Sequence, residues 1–142
     1  MNTTFHLWEI DKIVKQVLDI YPAFKKFALY GDLGAGKTTL TSAMCKHLGV
    51  TESTSSPTFA IIQEYIGFIN NQDITICHMD WYRLKNINDL QSAGVLDYLH
   101  NENMYCFIEW PNNVPDAIDD SVLKIELEMV NELERKMVVT TC

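Results

Sequence analysis

At 142 residues, with 47% hydrophobic and 21% charged side chains, the chain has the make-up of one soluble globular domain spanning 1–142 and is neither disordered nor fibrous. A net charge of −8, with Arg83 and Arg135 as its only arginines, argues against this chain being the part of a machine that grips nucleic acid. No apolar run approaches the ~20 residues of a membrane span, and no basic stretch followed by an apolar block opens the chain, so a cytoplasmic protein with no membrane partner is expected.

In chain order, Thr3 to Leu7 reads as a short strand, after which Ile10, Ile13, Val14, Val17, Leu18 and Tyr21 recur at helical spacing until Pro22. That is the pattern of an amphipathic helix packed on a sheet. Phe27 to Tyr30 is a buried strand, and the segment through Leu40 and Met44 to a stop at Gly49 is a helix. Between them Gly31, Gly36, Lys37 and Thr38 fill the pattern G-x-x-x-x-G-K-[ST] of a P-loop, in the strand-then-helix context such a match requires. Glycines at 31, 34 and 36 let backbone N–H groups converge on phosphate oxygens, and the helix that follows adds its unpaired donors and positive dipole end. Leu33, Gly34, Ala35, Gly36, Lys37, Thr38 and Thr39 are therefore the expected nucleotide-binding residues, with Lys37 reaching the β/γ phosphates and the Thr38 hydroxyl a ligand for Mg²⁺.

Thr51 to Thr58 is a hydroxyl-rich surface loop. Phe59 to Tyr65 and Ile74 to Met79 read as the arms of an antiparallel hairpin, separated by Gly67, Asn70, Asn71 and Asp73, and the second arm ends in Asp80. Asn88 is placed to cap a short helix through Leu90 to Gly94, followed by another helical turn at Val95 to Leu99. Met104 to Ile108 is a continuous apolar strand ending in Glu109-Trp110-Pro111, where proline stops the ladder. Leu123, Ile125, Leu127 and Met129 alternate with Lys124, Glu126 and Glu128, a strand with one wet face, and Lys136 to Thr141 pairs with it across Asn131 to Glu134. The expected fold is α/β, a three-layer P-loop NTPase-like fold whose mixed sheet has a parallel centre and antiparallel hairpin edges.

In open α/β sheets ligands sit beyond the carboxyl ends of the strands, which is where Asp80 and Glu109 stand if their strands neighbour Phe27 to Tyr30. One is expected to hold magnesium through water and the other to orient or deprotonate the attacking water, and spacing does not say which. His78 reads as a satisfied, partly buried histidine in preference to one that orients a carboxylate, Arg83 as the arginine near the phosphates, by default paired with a carboxylate, and Trp110 as packing. Cys45, Cys77, Cys106 and Cys142 lack metal-site spacing and read as reduced, mostly buried thiols.

Taken together, Gly-Asp-Leu-Gly-Ala-Gly-Lys-Thr-Thr-Leu at 31–40, Ser-Pro-Thr-Phe at 56–59, His-Met-Asp-Trp-Tyr-Arg-Leu at 78–84 and Ile-Glu-Trp-Pro at 108–111 resemble the TsaE family, formerly YjeE. The resemblance implies a small bacterial P-loop ATPase that binds ATP and Mg²⁺ and works with the TsaB and TsaD transferase subunits in threonylcarbamoyladenosine modification of tRNAs reading ANN codons, meeting tRNA only through that complex. It links Thr38 and Glu109 to the metal and Asp80 to hydrolysis, and it makes Ser56, Pro57 and Thr58 a switch that senses the γ-phosphate. The family's glycine-plus-arginine near the last hairpin, close to the base, is matched only by Arg135, which follows Glu134.

A GTPase would carry an [NT]-K-x-D guanine reader, and the chain has none, so adenine is expected. A small-molecule kinase of the P-loop fold is the alternative, though such enzymes close an arginine-bearing lid over the phosphates. The small-residue loop before Phe59 and the sparse arginines imply weak turnover alone and activation by the partner complex, docked through a basic surface.

Overall fold

The computed structural model describes residues 1–55, 57 and 60–141. Strand β1 (Asn2–His6) leads through a 3-10 turn at Leu7–Glu9 into helix α1 (Ile10–Ile20), where Ile13, Val14 and Val17 are buried at the spacing of an amphipathic stripe. The buried strand β2 (Lys26–Tyr30) feeds the glycine loop and helix α2 (Lys37–His47). A hairpin of β3 (Ile62–Ile69) and β4 (Gln72–Asp80) follows, then helices α3 (Ile87–Ser92) and α4 (Val95–His100). Strand β5 (Tyr105–Glu109) and a second hairpin, β6 (Val122–Met129) with β7 (Glu134–Thr140), complete the order.

The strands form one seven-stranded sheet ordered β1-β7-β6-β2-β5-β4-β3. Its centre is parallel, β2 lying between β5 and β6 and β4 beside β5, while both edges are antiparallel. Helices α3 and α4 form the crossover that parallel neighbours β4 and β5 require, whereas the edge pairs need only hairpins. On one face α1 and α2 pack over Phe27, Leu29, Leu123 and Ile125; on the other α3 and α4 cover Cys77, Met79, Cys106 and Ile108. This is the expected three-layer arrangement, and it brings the ends of β2, β4 and β5 to one edge.

The first hairpin differs from expectation. Gly67 lies inside β3, and the reversal is the two-residue Asn70-Asn71 loop, both residues left-handed with φ of 52° and 61°. A Cβ on Gly67 would stand 2.4 Å from the Leu48 carbonyl oxygen, so here glycine serves close passage of β3 beside the end of α2 and not a turn. The cap of α3 is Asn86, not Asn88: its Oδ1 accepts the Asp89 N–H at 3.0 Å, which leaves Asn88 in the first turn. Cys45, Cys77 and Cys106 are buried free thiols, burial pushing Cys45 up to about 12, and Cys142 lies outside the described residues. Among the described residues no helix is long and apolar enough to cross a membrane.

Candidate nucleotide-binding site

The glycine loop owes its shape to its neighbours. A Cβ at Gly31 would lie 2.5 Å from the Leu127 carbonyl oxygen, so the chain leaving β2 presses against β6 where only glycine fits. Gly36, at φ 106°, then opens α2 from a left-handed N-cap, and the first turn of the helix, Lys37 to Thr39, lines a cleft. Lys37 is 8% exposed; its Nζ donates to the Gly31 carbonyl and lies over the Trp110 ring, 4.7 Å from the centroid.

Asp80 and Glu109 end neighbouring parallel strands in register with each other. Of these two strands only β5 pairs with β2, whereas the expectation had both neighbour Phe27 to Tyr30, so Asp80 stands one strand farther from the strand that feeds the P-loop. Glu109 is buried, and its Oε1 accepts a hydrogen bond from the Thr38 hydroxyl at 3.1 Å, joining the first turn of α2 to the end of β5. Asp80 is half-buried and fixed by the Tyr82 N–H, which donates to Oδ1 at 2.9 Å. The cleft, of about 380 Å³, opens among these groups, lined by Leu33, Gly34, Gly36, Lys37, Thr38 and Thr39 together with Asp80, Glu109 and Trp110. Ala35 does not line it: its methyl group is core, and its N–H closes a turn on the Asp32 carbonyl at 3.0 Å. Of the switch residues, Pro57 is buried, and Ser56 and Thr58 lie outside the described residues.

Among the described residues no group of three or more His, Cys, Asp and Glu side chains forms a metal cage. Magnesium takes one or two carboxylates and completes its shell with water and phosphate oxygens. The Thr38 hydroxyl and the Glu109 and Asp80 carboxylates are hard oxygen donors lining the same cleft, so the donor set fits that ion.

Three sequence readings are corrected. Arg83 is exposed and makes no ion pair among the described residues, and the arginine at the cleft is Arg135. Arg135 is 7% exposed, donates from Nε to the Ala35 carbonyl at 3.0 Å and from Nη1 to the carbonyls of Asn131 and Glu134 at 2.7 and 3.0 Å. Its signal was strand parity, since it shares the inward face of β7 with Met137 and Val139. His78 is fully buried and, among the described residues, lacks a hydrogen-bond partner at either ring nitrogen, while Nε2 stands 3.3 Å from Glu109 Oε2. Trp110 is more than packing: at a left-handed φ of 58° it turns its ring over Lys37 and meets Tyr82 edge-on at 5.1 Å. Leu7, read only as a strand end, also lines the cleft.

Residues 6–137 match the family model for "Threonylcarbamoyl adenosine biosynthesis protein TsaE". A Bacillus subtilis (strain 168) protein named tRNA threonylcarbamoyladenosine biosynthesis protein TsaE is 33% identical over 130 residues, covering 89% of this chain and 78% of that protein. A Haemophilus influenzae protein of the same name is 33% identical over 104 residues, covering 73% of this chain and 63% of that protein, somewhat less than two thirds of its length. The crystal structure of Bacillus subtilis YdiB superposes with a TM-score of 0.70 at 26% identity, over 99% of this chain and 86% of that one.

Proposed function

This chain belongs to the TsaE family of threonylcarbamoyl adenosine biosynthesis proteins, and we propose that it acts there as a Mg²⁺-dependent ATPase, its 142 residues one nucleotide domain. The observation that carries the reading is the 3.1 Å bond between Thr38 and Glu109, which joins the P-loop helix to a strand-end carboxylate beside the one cation of the loop, Lys37. Lys37 balances the charge of the β/γ phosphates, and Thr38 with Glu109 hold the metal. Magnesium supplies further neutralisation of phosphate charge. Asp80, whose side chain is oriented by the Tyr82 N–H and faces the same cleft, orients or deprotonates the attacking water.

The partners in this reading are the TsaB and TsaD subunits, with tRNA engaged only through their complex and the protein working in the cytoplasm. A chain of net charge −8 is poorly suited to bind RNA directly but well suited to a basic protein surface. The test is steady-state phosphate release with and without the TsaB–TsaD pair and tRNA, at two ionic strengths. Slow release alone, a rise on adding the pair and a smaller rise at high salt support the proposal. Fast release unchanged by the partners, or transfer of the phosphoryl group to an added nucleoside or sugar acceptor, overturns it.

A further inference from the structure

Strand β4 alternates its side chains between two cores: Cys77 and Met79 pack among α3 and α4, while Ile76 joins the core beneath α2. His78 therefore points to the α2 side, 1% exposed, two residues before Asp80. Its Nε2 is 3.3 Å from Glu109 Oε2, the oxygen opposite the one that accepts from Thr38. Among the described residues neither ring nitrogen has a hydrogen-bond partner. A buried polar atom without a partner costs free energy and is rare in native proteins, and leucine would fill the same space without that cost. The placement makes sense if Nε2 serves the carboxylate it faces.

We infer that His78 is a positioning residue for Glu109, steadying the second carboxylate oxygen so that the first keeps its place beside Thr38. The inference rests on the reading of Glu109 as part of a magnesium site. The terminal torsion of glutamate is broad and roughly two-fold, so a group that engages Oε2 as well as Oε1 helps to fix the carboxylate plane. The imidazole edge at Nε2 supplies such an engagement from β4, a strand paired on both sides. Groups that orient metal-binding side chains in this way typically affect metal affinity by about 10- to 100-fold when removed. His78 touches neither nucleotide nor metal in this account and acts only through Glu109.

The experiment is calorimetric titration with ATP, metal-free and over a range of MgCl₂, on the wild-type chain, His78→Leu, His78→Gln and Glu109→Gln. In His78→Leu metal-free affinity should stay within about 2-fold, while the Mg²⁺ concentration for half-maximal tight binding should rise at least ~10-fold. In His78→Gln, whose amide N–H can reach the same oxygen, that concentration should return to within about 3-fold of wild type. Wild-type Mg²⁺ dependence in His78→Leu, equal impairment of the Leu and Gln variants, or parallel loss of metal-free and metal-dependent binding in folded protein overturns the inference. Should the Leu variant fail to fold, His78→Asn, too short to reach Glu109, takes its place against His78→Gln with the same outcomes. Wild-type Mg²⁺ dependence in Glu109→Gln overturns the metal reading itself, whereas a responsive Glu109 beside an unresponsive His78 overturns only the positioning role.

Discussion

The guanidinium of Arg135 donates its Nε–H to the carbonyl of Ala35 at 3.0 Å, joining residues 100 positions apart in the chain. Its Nη1 holds the turn carbonyls of the β6–β7 hairpin, so one buried side chain ties that hairpin to the P-loop. Arg135→Lys cannot reproduce the fork of donors and should lose the buried bond to the Ala35 carbonyl, at about 1–3 kcal/mol. The variant should therefore unfold at lower urea concentration and bind both ATP and inorganic tripolyphosphate more weakly. Tripolyphosphate has no base, so an unchanged tripolyphosphate affinity would show that Arg135 does not shape the loop.

Glu109→Gln keeps the side chain's shape but cannot offset the charge of a divalent ion. Calorimetry should show Mg²⁺-dependent ATP affinity falling by about 10-fold or more, with metal-free affinity little changed. An equal fall in both would make Glu109 a structural acceptor for Thr38 and nothing more.

Asp80→Asn should leave ATP binding within a few-fold of wild type and lower phosphate release by roughly 10²-fold or more if this carboxylate positions or activates water. The neutral amide retains an oxygen for the Tyr82 N–H, so the local turn should survive. Loss of binding in step with turnover would instead place Asp80 on the metal.

Gly67→Ala puts a Cβ 2.4 Å from the Leu48 carbonyl oxygen and within 3.0 Å of the Ile74 and Ile76 side chains. Backbone cannot yield as a long side chain does, so urea unfolding should show at least ~2 kcal/mol of lost stability. A variant as stable as wild type would mean that β3 does not pass so close to the end of α2.

What the sequence reveals of the fold and the site follows a physical rule. The P-loop is a local pattern, and Asp80 and Glu109 are marked by where apolar runs stop, so the strand-end site is legible in the residues alone. Contacts across the sheet are not. Arg135 reaches Ala35 only because β7 lies two strands from β2, an order no local pattern encodes, and the His78–Glu109 approach needs the register of β4 against β5. Gly67 resembles a turn residue because glycine serves both tight turns and close approaches, and the Asn70-Asn71 pair is the better turn signal. Asn86 and Asn88 differ as caps only in which side chain meets an N–H three residues on.

Binding of ATP with magnesium in the cleft around Lys37 can be measured by calorimetric titration of Mg·ATP into the wild-type chain and into Lys37→Ala. Lys37 is the cation the loop presents, held by the Gly31 carbonyl and the face of Trp110. Wild type should bind saturably and Lys37→Ala with an affinity lower by roughly 10²-fold or more, since charge-assisted bonds to phosphate are worth about 1.5–3 kcal/mol each and nothing else in the loop replaces them. Near-wild-type affinity in the variant, or no binding by the wild-type chain, would contradict ATP binding in this cleft.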